Sequence, residues 1–425
     1  HLSADSNSLA IQGLKLTSRT GYVTCDGKMQ KGTKNHLVLN VKDLDLSYLS
    51  NFGVMQQKVG GVVNASVDLY QQENSVLLDA DLTIDSLVVD ALQIGTIRGT
   101  TEYNDNNKTV SVNLDISYLG NENLKLVGDY YTTRDKNQLD LEASFQGFRV
   151  KTVEPFLSEY VSDMDGVVDG SVSIGGNLDK PELNGGLKLN DVALRIKYLN
   201  TLYHIKSAPV LIQKDLFAMD AGRITDIYGA EAITTAQVFH TNFSDFTYDI
   251  FVQATQFQAL NTSLVDNEDY YGQAIVTGDI NIGGSVNQTI INITAKTDKG
   301  TKMSIPLSGG VEVGEFEYIR FLQPEGFKRE LVSSSLEEEK SGLELDFRLS
   351  VDDNAEVQII FDEKVGDIIK VRGLGDMLMQ MDNRGKFNMY GDYVISDGDY
   401  LFTLQNIVNK KFDVIGGSKI VWNGD

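Results

Sequence analysis

The stretch that decides the fold is residues 385–425, which reads GKFNMYGDYVISDGDYLFTLQNIVNKKFDVIGGSKIVWNGD. Apolar and polar side chains alternate along it with a period of two, which is typical of strands with one buried face. Two pairs suited to tight hairpin turns, Asp397-Gly398 and Gly416-Gly417, interrupt the alternation. The stretch therefore predicts four strands in an antiparallel meander, whose last strand carries Ile420 and the only tryptophan, Trp422.

The same alternation recurs upstream. Residues 110–118, 139–145 and 343–351 each place apolar side chains on one face and polar ones on the other. Glycine pairs and asparagine-rich turns separate such runs at strand-like spacing. The 5 prolines are few enough for long, uninterrupted hydrogen-bond ladders. We therefore predict an all-β fold, with short helical turns only at residues 46–49, 153–157 and 259–264.

An internal repeat accompanies the strands. The phrase at Gly61–Val67 returns at Gly166–Val172, an offset of 166 − 61 = 105, and the Ile-Gly-Gly phrase at Ile174 returns at Ile282, an offset of 282 − 174 = 108. Recurrence at this period is typical of a stacked array. The expected segments are a first groove segment (1–60), three repeats (61–165, 166–273, 274–327), a mobile acidic loop (328–341) and the C-terminal meander (342–425).

Strand number constrains the architecture. Strands spaced every ~10 residues would number on the order of 40, whereas open twisted sheets rarely exceed ~10 strands without curling. A curled sheet with an apolar concave face either closes on itself as a sandwich or leaves an apolar trough. The alternation is compatible with both, so we expect an elongated, curled, repeating sheet and leave its closure open.

Composition excludes several classes of protein. The length of 425 residues exceeds the ~250–300 of a single compact core. A net charge of −23 argues against nucleic-acid binding and against electrostatic docking on anionic lipid, since both require clustered Lys and Arg. The lone Cys25 excludes an internal disulfide framework. Without an initial methionine, a signal-peptide pattern or an apolar run of ~18 residues, the sequence is expected to be a piece of a longer, processed protein.

Catalytic and metal-binding patterns are sparse. The four histidines share no spacing, and the acidic phrase Asp163–Ile174 departs from a calcium loop because its glycine comes early and Ile174 replaces the closing glutamate. No phosphate-cradling loop occurs. We therefore predict no catalytic residue, no metal, no cofactor and no enzymatic activity.

Several strand-and-turn phrases occur together in this chain: Met389–Tyr393, Gly398–Phe402, Phe412 before the Gly-Gly turn, Ile420–Asp425, Tyr271-Gly272, Gly300-Thr301 with Ile305–Ser308, and Ile359–Asp362 with Val365–Asp367. Together they resemble the TamB family of translocation and assembly module proteins, especially its Bacteroidota members. The resemblance covers residues 246–425 by motif and the earlier chain by pattern.

The resemblance implies an AsmA-like, taco-shaped β groove in the periplasm of a Gram-negative bacterium, with an inner-membrane anchor outside this chain. Its implied function is non-enzymatic transport of phospholipid between inner and outer membrane, which contributes to outer-membrane biogenesis. The alternative is assembly of outer-membrane proteins with a barrel partner through β-strand addition at an edge that holds Ile420 and Trp422. Candidate groove residues for acyl chains are Val110, Val112, Leu114, Leu139, Leu141, Leu343, Leu345, Phe347, Leu349, Tyr400, Phe402 and Leu404.

Three function classes thus stay in view. A lipid conduit requires a continuous apolar concave face, and an assembly factor requires an exposed strand edge. A repeat-fold enzyme acting on polysaccharide requires clustered carboxylates on neighbouring strands. The 60 acidic residues follow the strand alternation instead of clustering, so the enzyme class has the least support.

Overall fold

A computed structural model describes residues 2–4, 8–30, 35–48, 58–72, 75–89, 92–118, 121–268, 270–285, 287–306, 342–362, 366–384, 386–404 and 408–424. Strands account for most of these residues. Besides helical residues 47–48, there is a 3₁₀ turn at Val150–Val153 followed by one short helix, α1, at Glu154–Leu157. The predicted all-β class with short helices is confirmed. The chain forms two compact units. The first comprises His1–Lys197, Leu202–Ile224 and Thr234–Phe246, and the second comprises Tyr198–Thr201, Thr225–Ile233 and Thr247–Asp425.

The strands described up to Thr262 are β1 to β16. Their bounds are β1 Leu2–Ala4, β2 Ser8–Thr17, β3 Tyr22–Gln30, β4 Asn35–Asp45, β5 Val59–Gln72, β6 Ser75–Val89, β7 Leu92–Asn104, β8 Thr109–Tyr118, β9 Asn121–Tyr131, β10 Leu139–Arg149, β11 Val161–Asn177, β12 Lys180–Ile196, β13 Thr201–Gln213, β14 Leu216–Thr225, β15 Glu231–Thr241 and β16 Ser244–Thr262.

In the first unit, each strand from β1 to β12 pairs antiparallel with the next. Bulges recur within these ladders, for example between Val41 and Leu44, between Ile84 and Leu87, and between Phe145 and Phe148. A bulge bends its strand and increases the local twist. Successive bulges therefore curl the sheet, and the curl encloses a core of Val150, Met164, Val168, Val192, Ile205 and Ala208.

The sequence repeat corresponds to a repeated hairpin. Val63 pairs with Ile84 in the β5–β6 hairpin, and the residues 105 positions later, Val168 and Leu189, pair in the β11–β12 hairpin. The shared register explains why the phrase repeats, because a shift of one residue would turn every apolar side chain outward. The segment boundaries at 61, 166 and 274 stay predictions.

The second unit contains the remaining strands. They are β17 Tyr271–Ser285, β18 Gln288–Thr297, β19 Lys302–Pro306, β20 Leu343–Val351, β21 Glu356–Asp362, β22 Asp367–Met381, β23 Phe387–Leu404, β24 Val408–Asp413 and β25 Lys419–Asn423. Both β18 and β19 pair antiparallel with β17, and β20 and β21 run parallel to them. β22 then pairs antiparallel with β20 and β21, and β23 pairs antiparallel with β22.

The hairpin predicted at Asp397-Gly398 is wrong. β23 is one continuous strand, and Asp397 and Gly398 pair with Arg372 and Val371 inside the β22–β23 ladder. A bulge at Ser396 adds one residue there. A Cβ at position 398 would lie 2.5 Å from the Lys370 carbonyl oxygen, so the glycine permits a close approach of two strands instead of a chain reversal.

The meander also ends differently from the prediction. β24 and β25 both pair with β23, β24 along Asp399–Leu404 and β25 along Tyr390–Val394. Gly416-Gly417 therefore separates two edge strands that run in the same direction, so it is not a hairpin turn. The C-terminal stretch contains three strands, β23, β24 and β25, and not the four that the sequence predicts. Among the residues described, β24 and β25 pair with no strand other than β23.

The structure confirms one of the three helical turns that the sequence predicts. The turn predicted at residues 153–157 is confirmed by α1, whereas the one predicted at 259–264 is wrong, because β16 continues to Thr262 and its backbone pairs with β17. The turn predicted at 46–49 is described only to Tyr48. The acidic loop predicted at 328–341 lies outside the described residues.

Candidate functional site: an apolar cavity in the second unit

The sheet of the second unit bends along a line that we call the crease, defined by residues 298–301, 352–355, 372–374, 396 and 414–418. At the first two positions, turns separate β18 from β19 and β20 from β21. The turns are joined, because the Glu356 N–H donates to the Thr301 carbonyl oxygen at 3.0 Å. At the last two positions, a bulge in β23 lies beside the β24–β25 interruption, where the Gly417 N–H donates to the Ile395 carbonyl oxygen at 2.7 Å.

Bending at the crease brings apolar side chains from both sides of the line together. Val357 and Ile359 from one side share a buried cluster with Met377 and Met389 from the other. Tyr393, the largest fully buried side chain among the described residues, lies in the same cluster with 1% of its surface exposed. The alternation of each strand explains this arrangement, since every second residue faces the same interior.

Between the two sides lies a cavity of about 130 Å³. An engineered apolar cavity of roughly 150 Å³ stays dry and binds benzene, so this space suits a segment of hydrocarbon chain. All of its lining residues belong to the second unit, and most are apolar: Leu199, Ala259, Leu260, Ala274, Val276, Ile293, Met303, Ile305, Phe347, Leu349, Val351, Ala355, Val357, Met377, Met379, Met389 and Trp422.

Aromatic side chains line another part of the cavity. The Tyr270 ring, which is 4% exposed, lies 6.4 Å from the Phe347 ring and 5.7 Å from the Phe387 ring between centroids. Its hydroxyl lies 3.1 Å from that of Tyr198, which is 42% exposed. The aromatic group therefore joins the apolar lining to a polar pair of hydroxyls that reaches solvent.

Two threonine side chains of the lining form hydrogen bonds with the protein backbone. The Thr301 hydroxyl accepts from the Ile275 N–H at 3.0 Å and donates to the Ile275 carbonyl oxygen at 2.8 Å. The Thr297 hydroxyl accepts from the Asp352 N–H at 3.2 Å. Tyr393 differs, because its buried hydroxyl has no hydrogen-bond partner within the described part of the chain. Of the described lining residues, Tyr393 alone has a buried polar side-chain atom in that condition.

Burial raises the pKa of Tyr393 well above its ordinary value, and the carboxylates of Asp353 and Asp397 add to the effect. The phenol is thus protonated at physiological pH and available as a donor. Because the folded pKa exceeds that of the unfolded chain, this contribution to stability is complete below the unfolded pKa of about 10 and is lost as pH rises above it.

We therefore expect wild type to lose about 1 kcal/mol more unfolding free energy than Tyr393→Phe when pH is raised from 8 to about one unit above the unfolded tyrosine pKa. Urea unfolding followed by Trp422 fluorescence measures this. Equal losses in the two proteins would show that the Tyr393 hydroxyl ionises as readily in the folded state as in the unfolded one.

The apolar face continues beyond the cavity on β21, β22, β23 and β24. Ile369 pairs with Tyr400, which pairs with Phe412, so all three side chains lie on the cavity side of the sheet. The Tyr400 ring lies 6.1 Å from Phe361, 6.0 Å from Phe402 and 6.2 Å from Phe412. Phe361 and Phe412 are 46% and 42% exposed. The second unit thus combines an apolar cavity with an open aromatic face.

Only some of the groove residues predicted for the second unit line the cavity. Phe347 and Leu349 line it, Leu345 is buried at 5% exposure, and Leu343 begins the same strand. Tyr400 and Phe402 belong to the open aromatic face, and the Leu404 side chain lies outside the described part. Their role in holding lipid stays a prediction.

In the first unit, the predicted groove residues share one face of the sheet. Val110 pairs with Tyr130, which pairs with Leu139, and Val112 pairs with Gly128, which pairs with Leu141. Leu114 pairs with Leu126 two residues further on. Opposed residues of an antiparallel pair lie on the same side of the sheet, so these side chains form one apolar stripe.

Trp422 and Ile420 have two roles in the structure. Their side chains pack against the buried cluster of the second unit, and Trp422 lines the cavity. Their backbone belongs to β25, at the edge of the sheet. Ile420 and Trp422 therefore belong to an edge strand by their backbone, as predicted, but their side chains point into the interior.

Sequence reasoning missed several lining residues, above all Met377, Met379, Met389 and Tyr393. A signal for the first two was present, since Met377, Met379 and Met381 alternate with Leu378 and Gln380. Met303 and Ile305 could not be assigned in the same way, because only the crease brings β19 opposite β22.

No group of three or more His, Cys, Asp or Glu side chains that could hold a metal ion occurs among the described residues. The carboxylates of the calcium-like phrase have protein partners instead. Asp163 accepts from Arg195 at 2.6 Å, and Asp169 accepts from the Gly147 N–H at 2.7 Å and from Asn190 at 2.6 Å. These contacts fix the β11–β12 region structurally.

Fold and site together define a class: an all-β protein whose second unit encloses an apolar cavity. Comparison with known families matches residues 20–189 to the TamB N-terminal domain and residues 222–425 to the TamB C-terminal domain. The chain belongs to the TamB family, which confirms the resemblance found in the sequence. No curated protein and no solved structure matches it.

Membership places the chain in the AsmA-like translocation and assembly system of the Gram-negative envelope. The family comprises non-enzymatic transport and assembly proteins that work with an outer-membrane partner. Within the described part of the chain, no helix has the length and apolar character needed to cross a membrane.

Proposed function

We propose that this chain is a non-enzymatic periplasmic bridge that passes lipid acyl chains between inner and outer membrane and so contributes to outer-membrane biogenesis. The observation that carries the proposal is the cavity of the second unit, with its lining of aliphatic, methionine and aromatic side chains. Hydrocarbon is the ligand that such a lining favours, since it offers dispersion contacts and apolar burial but few polar partners.

The cavity contributes part of the free energy of lipid binding. Apolar cavity volume is worth about 24 cal/mol per Å³ in large-to-small substitutions. For about 130 Å³, filling the space with hydrocarbon corresponds to about 3 kcal/mol. That value alone corresponds to a Kd in the millimolar range, so the apolar surface around the cavity must add to it for lipid to be retained. The open aromatic face beside the cavity supports the same proposal, because partly exposed apolar surface of this kind marks a binding surface.

Methionines suit a ligand of variable shape. Met303, Met377, Met379 and Met389 line the cavity together. Their unbranched, polarisable side chains adapt to different neighbours. Saturated and unsaturated acyl chains could therefore occupy the same space.

Mass spectrometry of lipid retained by the native protein tests the proposal. Protein purified from cells without detergent should carry acyl lipid in roughly stoichiometric amount. Protein prepared in the same way that carries no lipid, at a concentration where the mass spectrometer detects added lipid, would contradict the conduit.

A second function, assembly of outer-membrane proteins with a barrel partner, is favoured by the edge at β25. Strand addition requires backbone groups that point away from the sheet. The Gly424 N–H donates to the Met389 carbonyl oxygen at 2.8 Å, and inward and outward groups alternate along an antiparallel edge. Ile420 and Trp422 therefore point their N–H groups at β23, whereas that of Val421 points outward.

Val421→Pro tests this edge. Because the substitution removes an outward N–H, the β23–β25 ladder should survive, and association with a barrel partner or with a second copy should fall at least tenfold. Size-exclusion chromatography with multi-angle scattering measures self-association. Lys419→Pro removes a second outward donor at the start of the same strand and should act in the same direction. Unchanged association in both variants would show that this edge is not the contact.

A further inference from the structure

The edge strand β24 places a lysine on the open aromatic face. Lys410 pairs with Phe402, and Phe412 pairs with Tyr400. Because opposed residues of an antiparallel pair lie on the same side of the sheet, Lys410 shares its face with these three aromatic side chains. Its Nζ lies 5.1 Å from the centroid of the Phe412 ring, which is within the range of a cation–π contact. A cation therefore lies at the rim of an apolar surface.

Lys410 and its neighbour Lys411 differ in their charge partners. Lys411 points to the opposite face of the sheet, and its Nζ forms an ion pair with the Asp399 Oδ2 at 3.4 Å. Lys410 is exposed, and within the described part of the chain no carboxylate oxygen lies within 4.0 Å of its Nζ. Its three donors are thus available to an anion that a ligand brings.

A carboxylate on the same face is directed to another partner. Asp367 precedes Ile369 by two residues on β22, so both lie on the open aromatic face. The Asp367 carboxylate lies beside the Tyr400 hydroxyl and, after the larger effect of burial, raises the pKa of that phenol. The strand β23 lies between Asp367 on β22 and Lys410 on β24. The Lys410 ammonium is therefore the positive end of this face.

The open aromatic face joins Lys410 to the cavity over the length of an acyl chain. Val357 lines the cavity and pairs with Val371, which pairs with Gly398 on β23. Phe402, the partner of Lys410, lies four residues further along β23 (402 − 398 = 4), which is about 13 Å at ~3.3 Å per residue. One leaflet of a bilayer contains about 15 Å of hydrocarbon, half of the ~30 Å core. A chain that ends in the cavity would thus place its headgroup near Lys410.

We propose that the open aromatic face binds a single phospholipid, whose acyl chain lies across the aromatic side chains into the cavity and whose phosphate pairs with the Lys410 ammonium. The inference rests on the proposed function and deepens it, because it assigns the headgroup end of the site. Lysine is a common partner of phosphate groups. The net charge of −23 disfavours docking on an anionic bilayer, so the site suits one extracted lipid and not a membrane surface.

Trp422 provides the measurement, because it is the only tryptophan and lines the cavity. The probes are hexadecanoyl lysophosphatidylglycerol and 1-hexadecanoylglycerol, each titrated below the concentration at which it aggregates. They share the glycerol ester and the chain, and only the first has a phosphate. The quantity compared between proteins is the Kd of the neutral probe divided by the Kd of the phosphate probe, measured at ~0.15 M ionic strength, where distant charges are screened.

Lys410→Gln should lower this ratio about three- to fivefold relative to wild type, which is the size of an exposed ion pair. Its affinity for the neutral probe should be unchanged, which also shows that the variant is folded. Lys411→Gln is the matched control, because it removes the same charge from the same strand on the opposite face, where Asp399 is the partner. The two variants have equal net charge, and the ratio for Lys411→Gln should equal that of wild type.

The outcomes separate the two hypotheses. A ratio that is unchanged in Lys410→Gln, or that falls equally in both variants, would overturn the inference and leave the proposed function intact, since both probes would still bind through their chains. If neither probe changed Trp422 fluorescence and the native protein carried no lipid, the proposed function would fail, and the inference with it.

Discussion

Phe347→Arg should reduce lipid retained by the native protein at least tenfold. Phe347 lines the cavity and packs against the buried cluster of the second unit. A cation placed where a side chain meets lipid costs about 2–4 kcal/mol, and the acidic side chains on this strand point to the other face. Lipid content per protein, measured by mass spectrometry after detergent-free purification, checks the expectation. The far-ultraviolet circular dichroism should stay strand-like.

The control is Ser350→Arg on the same strand, β20. Ser350 is exposed, and its odd spacing from Phe347 places it on the outer face of the sheet. This variant adds the same charge without reaching the cavity, so its lipid content should equal that of wild type. Replacement of Phe347 with a photo-crosslinking amino acid offers a test that does not depend on a buried charge. Failure to capture lipid at this position in cells would remove the main support for the conduit.

The local pattern of each strand was predictable from the sequence. Residues 343–351 alternate so regularly that both the strand and its apolar face follow from the period of two. The repeat at an offset of 105 residues likewise predicts the equivalent register of two hairpins. These features depend on neighbours in the sequence or on direct repetition, which are visible without coordinates.

The crease was not predictable, and the errors lie close to it. Asp397-Gly398 has the composition of a hairpin turn, but it continues a strand beyond the bulge at Ser396. Whether such a pair reverses the chain depends on the strand beside it. β22 provides uninterrupted partners on both sides of the bulge, so the extended conformation gains more hydrogen bonds than a turn would.

The cavity depends on the same non-local feature. Met303 on β19 and Met389 on β23 line one space, although 86 residues separate them in the sequence (389 − 303 = 86). The alternation assigns each to an apolar face but does not show which faces meet. The unsatisfied hydroxyl of Tyr393 is likewise a property of the packed interior, since in the sequence it resembles any other strand tyrosine.

The crease should be sensitive to added volume, and Gly373→Ala should reveal this. Gly373 is buried and lies where the β22–β23 register shifts, opposite Ile395. A Cβ at this position would lie 2.1 Å from the Val394 carbonyl oxygen and 3.0 Å from the Ile395 Cα. Both atoms belong to the backbone of β23, so no side-chain rotation can relieve the clash. The two strands would have to move apart where their bend is fixed.

We expect Gly373→Ala to lower the free energy of unfolding of the second unit by about 3 kcal/mol, at the upper end of the cost of overpacking. Urea denaturation followed by Trp422 fluorescence measures it. Gly283→Ala in β17 is the matched control, because its Cβ would meet only the Tyr248 carbonyl oxygen, at an ordinary 3.6 Å. That substitution should change stability by less than about 0.5 kcal/mol. Equal unfolding midpoints for the two variants would show that the bend at Gly373 tolerates a side chain and that the crease does not constrain the sheet as described.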